Sequence, residues 1–142
     1  MSNFSKFMKA NKIQKQNVMH PVTKSLTDEN GEPLLWEIKP LTTKEDEVIR
    51  ESCTIEVPVK GKPNMYRPKV DMVKYQTKLM CAAIVNPDLN NVELQNSYGV
   101  MTPEELLKEM VDSPAEYNDL MMFVQTISGF KTLQEDVNDA KK

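Results

Sequence analysis

The residues best suited to chemistry are one histidine, His20, and two cysteines, Cys53 and Cys81. A nucleophilic cysteine or serine needs a neighbouring base, and a lone histidine beside Pro21 is a weak candidate for that role. The cysteines lack the paired spacing of a zinc site and are too few for a disulfide framework. We therefore predict that His20 is an ordinary, partly exposed residue and that both cysteines are small buried apolar side chains.

The acidic clusters are explained without catalysis. The runs 45–47 and 104–105 fall in the first turns of predicted helices, where carboxylates interact favourably with the helix dipole. The four glycines are scattered, so they form no phosphate-binding loop. The stretch 28–32 lacks the twelve-residue ligand pattern of a calcium loop. The residues therefore predict a protein that is not an enzyme and that uses no cofactor and no metal.

The overall composition narrows the classes of partner. The 142 residues are 39% apolar and 27% charged, include ten methionines and carry a formal net charge of −3. An acidic chain has no long-range attraction for phosphate backbones, which argues against a nucleic-acid partner. No apolar stretch approaches the roughly 18 residues of a membrane helix, and residues 1–19 lack the apolar region of a signal peptide. We expect a cytoplasmic protein that works by binding other proteins.

The first half of the chain predicts strands. Alternation places Leu34, Trp36 and Ile38 on one face of a strand. The preceding segment 22–27 and an Asn-Gly pair in the stretch 28–33 predict an antiparallel hairpin. A capping box begins a helix over about 43–53. The proline-rich segment 54–69 predicts short extended pieces around a loop at 60–64.

The second half predicts helices. A central buried helix begins near Asp71 and is stopped at Asn86 by the following proline; its inward residues are Val73, Thr77, Met80, Cys81 and Ile84. A short helix with Val92 and Leu94 inward follows and is closed by Gly99. Two Ser/Thr-Pro-x-Glu signals, at Thr102 and Ser113, begin helices over about 103–111 and 114–128, and Gly129 ends the second.

Early strands followed by late helices define the fold class as α+β. We predict an N-terminal antiparallel β-hairpin or small sheet followed by a mainly helical C-terminal half. The expected organisation is a basic N-terminal arm over 1–19, a single α+β domain over 20–130, and a polar, flexible tail over 131–142.

Five apolar residues are candidate partner contacts because no predicted core stripe accommodates them. Met122 and Phe123 lie off the stripe of the helix 114–128 and either contact a partner or pack under a second layer of the domain. Methionine suits an adaptable binding surface because its side chain repacks easily. Phe4, Phe7 and Met8 have the spacing of a short amphipathic helix, in an arm that docks on its own domain, stays mobile or binds a partner or membrane surface.

Three stretches of the chain resemble the XkdN-like tail assembly chaperones of Bacillus prophages and prophage-like elements. They are 36–54 (WEIKPLTTKEDEVIRESCT), 70–100 and 127–130 (ISGF). The most specific parts are the Trp36 strand that runs into an acidic helix with Cys53, and the stretch 87–100. The similarity covers nearly the whole chain, including the opening NFSKFM.

The resemblance implies a protein that is made by a long-tailed phage or defective prophage and is absent from the finished tail. Its expected partners are the tape measure protein and tail tube subunits, bound in the host cytoplasm, and self-association is also expected. The family implies no enzyme activity, cofactor or metal. Two alternatives remain: a minor structural tail or tail-completion component, and a prophage protein that binds a host factor through its basic arm.

Overall fold

Within residues 3–130, which the computed structural model describes, the chain has the predicted α+β architecture. Two short 3-10 turns, Asn3–Phe7 and Lys9–Asn11, occupy the arm. The strands are β1 Val18–Pro21, β2 Leu35–Ile38, β3 Thr54–Pro58, β4 Tyr66–Val70 and β5 Ile84–Asn86. The helices are α1 Thr43–Ser52, α2 Met72–Ala83, α3 Val92–Ser97, α4 Pro103–Met110 and α5 Pro114–Ser128. The predicted flexible tail, 131–142, lies outside the described residues.

The predicted hairpin is present, but its first strand was misplaced. β1 pairs antiparallel with β2, from Val18 opposite Ile38 to Pro21 opposite Leu35. Of the predicted first strand, 22–27, only the end meets the chain before β2: the Leu34 backbone N–H donates to the Leu26 carbonyl, and Thr27 forms an isolated antiparallel bridge with Pro33. Val22 and Thr23 are buried, and Thr23 bonds to α5. The acidic stretch still turns as predicted, with Gly31 at a φ of +80° that favours glycine.

A third strand joins this sheet where the sequence predicted the end of a helix. α2 stops at Ala83, and β5 pairs antiparallel with β2, which gives the order β1-β2-β5. Ile84 and Val85 are β-branched and therefore favour extended backbone. The proline at 87 also disfavours helical backbone at Asn86. Local preference and pairing with β2 thus both favour a strand here.

The predicted extended pieces form a separate hairpin. β3 and β4 pair antiparallel from Thr54 opposite Val70 to Pro58 opposite Tyr66, as a two-stranded sheet. Its side chains are mostly exposed. The three-stranded sheet is therefore completed by β5 and not by this segment.

Two of the three predicted N-terminal helix caps make the expected side-chain hydrogen bonds. The Thr42 side chain accepts a hydrogen bond from the Glu45 backbone N–H, and the Glu45 carboxylate accepts one from the Thr42 backbone N–H. Thr102 accepts from the Glu105 N–H at the start of α4. Ser113 is the N-cap residue of α5 as predicted, but its side chain makes no capping bond. The Glu116 carboxylate, its expected capping-box partner, accepts from Thr23 and Lys24 instead.

The core lies between the three-stranded sheet and the helices. The buried apolar side chains with the least exposure include Trp36, Ile38, Met80, Leu106, Leu107, Leu120 and Val124. α2 packs against α1, α4 and α5. Thr77, Met80 and Ile84 are buried as predicted, but Val73 is exposed and Cys81 is only half-buried.

The inward face of α2 is rotated from the predicted face because α1 covers one side of the helix. Tyr75 and Leu79 are buried instead of Val73. The Tyr75 hydroxyl donates to Asp46 and accepts from Arg50, both on α1. In α3, Val92 is exposed and Leu94 half-buried, while Gln95 is buried and donates to the Leu89 carbonyl. The prediction that Val92 points inward is therefore wrong.

The two faces of β2 give a direct test of this packing. We expect Ile38→Ala to lower the free energy of unfolding by about 3 kcal/mol, because a fully buried side chain leaves a cavity. Leu35→Ala, in the same strand at a position 54% exposed, should change it by less than about 1 kcal/mol. Urea unfolding of both variants measures the difference. Equal losses would contradict the observed orientation of the strand.

Candidate partner-binding groove

A groove of about 1160 Å³ runs along one side of α5. One wall is the chain from His20 to Ser25 with Pro33, and the other runs from Asp112 through α5 to Thr126. We call this surface the α5 groove. Its apolar members are Pro21, Val22, Pro33, Ala115, Leu120, Met122 and Phe123.

Contacts between the two walls fix the shape of the α5 groove. The rings of His20 and Phe123 stack, with centroids 3.7 Å apart and planes 9° from parallel. About two helical turns earlier in α5, the Glu116 carboxylate accepts two hydrogen bonds. One comes from the Thr23 hydroxyl, at 2.7 Å, and the other from the Lys24 backbone N–H, at 2.8 Å. β1, through His20, and the chain that follows it, through Thr23 and Lys24, are therefore held against α5 at two separate points.

The same contacts set the direction of the chain. Lys15 donates from its ammonium group to the Ser128 carbonyl at the C-terminal end of α5. His20 then lies beside Phe123, and Thr23 beside Glu116. Residues 15–24 consequently run antiparallel to α5, with Lys15 at the C-terminal end of the helix.

The electrostatics of the groove are acidic. Its lining includes Asp112, Glu116 and Asp119 against one lysine, Lys24. The backbone N–H of Lys24 and the Thr23 hydroxyl hold the pKa of the Glu116 carboxyl below its ordinary value. Burial lowers the pKa of His20 from its ordinary value. The lining is thus an apolar surface with a surplus of negative charge.

The five predicted contact residues fall into two groups. Met122 lines the groove with 53% of its surface exposed, and Phe123 lines it half-buried against His20. Phe4, Phe7 and Met8 are exposed on the arm and are not among the described residues that line the groove. The structure therefore brings Met122 and Phe123 together and leaves the arm residues apart. The binding role of all five residues remains a prediction.

The sequence analysis did not identify the acidic residues or the wall 20–25 as parts of one groove. Asp112 lies just before α5, and Glu116 and Asp119 follow it at helical spacing, a signal that predicts neighbouring positions. No local signal connects Glu116 with Thr23 and Lys24, which lie 93 and 92 residues away. The stacking of His20 on Phe123 is also a long-range contact. Only the fold shows that these segments share a site.

The chemically reactive residues lie in structural roles. His20 is half-buried, as predicted. Cys53 is fully buried, and burial raises the pKa of the half-buried Cys81 to about 12, which keeps its thiol protonated. Tyr75 also has a pKa raised to about 12, by burial and by its bond to Asp46. This tyrosine joins α2 to α1.

The described residues, 3–130, contain neither a cluster of metal ligands nor a membrane-spanning helix. Among these residues, no group of three or more histidine, cysteine or acidic side chains is placed to hold a metal ion. None of the helices found there is long and apolar enough to cross a membrane.

The fold and the groove define an α+β protein with an open, acidic groove that contains an exposed methionine. The family model for the phage XkdN-like tail assembly chaperone protein matches residues 4–141. The chain belongs to this family.

Two Bacillus subtilis strain 168 proteins are similar over the same length. The phage-like element PBSX protein XkdN is 25% identical over 141 residues, which covers 99% of this chain and 93% of the relative. The protein YqbN is 26% identical with the same coverage. The crystal structure of YqbN superimposes with a TM-score of 0.75 at 21% identity, over 92% of this chain and 99% of that one. This likeness shows that the fold is shared.

The contacts of Glu116 predict a pH-dependent contribution to stability. A carboxyl whose pKa is depressed in the folded state stabilises that state above its unfolded pKa. This contribution is lost as the pH falls through the folded value. Glu116→Ala should therefore lower the melting temperature at pH 7, and the difference from wild type should shrink below about pH 4.5.

Asp119→Ala is the matched control, because it removes the same charge from an exposed position of α5. Its melting temperature should differ little from wild type at either pH. Thermal unfolding followed by circular dichroism between pH 3 and pH 7 measures both variants. A Glu116→Ala difference that is independent of pH would contradict a role for the ionised carboxylate.

Proposed function

We propose that the chain is a non-catalytic tail assembly chaperone that binds the tape measure protein, tail tube subunits or both in the cytoplasm of the bacterial host. The observation that carries the proposal is the family match over residues 4–141. The α5 groove supplies a surface that suits this role. Its physical task is to cover apolar faces of tail proteins before those faces find their places in the tail.

The α5 groove suits an amphipathic helix better than a small polar ligand. Its volume of about 1160 Å³ accommodates several side chains from one face of a helix. Ala115 and the half-buried Phe123 provide apolar surface, and the exposed Met122 side chain can adjust to different partners. Asp112 and Asp119 can interact with basic residues at the margin of the bound helix.

Such binding would act against aggregation. Long proteins that await assembly expose apolar surfaces, and these surfaces associate non-specifically at cellular concentrations. A chaperone that holds one helical face lowers the free concentration of that surface without any chemical step. Moderate affinity is appropriate, because the chaperone must leave when the tail protein is incorporated.

Co-expression tests the proposed function directly. The chain and the tape measure protein of the same genetic element should co-elute from size exclusion, and the tape measure protein should be insoluble when expressed alone. The tail tube protein is assayed in the same way. If neither protein gains solubility and the chain elutes alone, the chaperone proposal fails. Recovery of the chain in purified tails would then support a structural tail component.

Substitution of Met122 tests the surface. We expect Met122→Glu to weaken the complex at least about tenfold, because it places a charge on an apolar contact in an acidic groove. The melting temperature should stay within about 2 °C of wild type, since the side chain is half exposed.

Val92→Glu is the matched control, as it makes the same change at an exposed position of α3 that is not part of the groove lining. It should leave the affinity unchanged. Affinity is measured by titration with the soluble tail protein or its isolated helical segments. A large loss of stability in Met122→Glu would instead identify Met122 as a core residue.

A further inference from the structure

The N-terminal arm carries apolar side chains that the described part of its own chain does not cover. Neither 3-10 turn of the arm contains a buried residue. Phe4 is 67% exposed, Phe7 87%, Met8 56% and Ile13 91%. Four such side chains within eleven residues form an apolar surface that would gain by association.

The charge of the arm is opposite to that of the α5 groove. Residues 3–17 contain Lys6, Lys9, Lys12 and Lys15 and no acidic residue. The groove lining contains Asp112, Glu116 and Asp119 against Lys24. Apolar residues interspersed with lysines therefore match an apolar floor with an acidic margin.

The direction of the chain favours the groove of another molecule. Residues 15–24 run antiparallel to α5, and Lys15 contacts the carbonyl of Ser128 at the C-terminal end of that helix. None of the preceding residues 3–13 lines the groove, which extends from Thr126 back to Asp112. To enter its own groove the arm would have to reverse its direction within a few residues after leaving Lys15.

We infer that the α5 groove receives residues 3–13 of the N-terminal arm of a second copy of this chain, in a reciprocal dimer. Phe4 and Phe7 insert against the apolar surface formed by Ala115, Met122 and Phe123. The arm lysines lie at the acidic margin. Each copy gives one arm and receives one, so both grooves are filled by a closed, symmetric exchange.

The area that becomes buried is sufficient for such a dimer. Phe4 and Phe7 together leave roughly 300 Å² of side-chain surface exposed on each arm. Two arms and the groove surfaces that face them amount to about 1,000 Å², near the lower end of stable interfaces. Contacts of Met8 and Ile13 would add to this area.

Cross-linking between two separately purified variants tests the placement of the arm. Phe7→Cys and Met122→Cys are mixed under mild oxidation, and a disulfide between the two different chains is expected. Phe7→Cys mixed with Val92→Cys, which is exposed outside the groove lining, is the control and should remain uncoupled. The native cysteines interfere little, since Cys53 is fully buried and burial raises the pKa of Cys81 to about 12.

Mass measurement in solution tests the dimer itself. Wild type should show twice the monomer mass of 16.3 kDa by size exclusion with light scattering, and the dimer should weaken with salt. The double variant Phe4→Ser/Phe7→Ser should raise the dissociation constant at least about tenfold. Both substituted side chains are exposed, so its melting temperature as a monomer should be retained.

Three results would overturn the inference. One is a wild-type protein that stays monomeric at all accessible concentrations, which would also be the result if the arm entered its own groove. Another is a dimer that the arm substitutions leave unchanged. The last is cross-linking that is equally efficient to Met122→Cys and Val92→Cys.

The inference is independent of the proposed function, because these measurements use the purified chain alone. A tail protein that enters the groove would have to displace the arm. The Met122→Glu affinity measurement is therefore repeated in the Phe4→Ser/Phe7→Ser background, where the groove is free. If the purified chain forms no arm-dependent dimer but binds the tail protein, the inference about the arm fails and the proposed function stands. If the dimer forms but no tail protein binds, the proposed function fails and the inference stands.

Discussion

Glu116 accepts two hydrogen bonds from chain that lies 92 and 93 residues earlier, and the geometry of the α5 groove depends on this attachment. These bonds hold Thr23 and Lys24 against the first turn of α5. The stacking of His20 on Phe123 holds β1 against the same helix about two turns further along. His20 and Pro21 still pair with β2, and the chain leaves the strand after Pro21, where Thr23 and Lys24 donate to Glu116. The groove therefore lies where the chain passes from the sheet to α5.

The surface character of the groove is consistent with a protein that holds others without transforming them. The Glu116 carboxylate joins the two walls of the groove by accepting hydrogen bonds from Thr23 and Lys24, while the Met122 side chain remains exposed. A fixed frame with an adaptable methionine is the kind of surface that the proposed chaperone role requires. The chain belongs to a family of tail assembly chaperones, in which binding followed by release is the expected physical requirement.

The fold is shared with YqbN at 21% identity, which shows how few constraints determine it. In this chain the constraints are the buried face of β2, formed by Trp36 and Ile38, and the helices that cover it. Many apolar sequences of suitable volume can satisfy such a core. The surface can therefore change while the fold persists, and contact residues have to be argued from each chain.

The sequence by itself determined the α+β class, the helix starts at Thr42 and Thr102 and the end of α5 at Gly129, because these features depend on residues within a few positions of one another. It also determined that Met122 and Phe123 fall outside the main stripe of α5, since helical geometry is local. The family resemblance was likewise visible in the residues alone, and the family model matches nearly the whole chain.

The tertiary structure decided which segment pairs with β2, which face of α2 is buried and how Glu116 is used. Period-two alternation identified β2 but contained no information about its partner strand. Either Val18–Pro21 or 22–27 could supply extended backbone, and burial of Val22 and Thr23 toward α5 selected the former. These outcomes depend on contacts between residues far apart in sequence, whose free energies no local pattern contains.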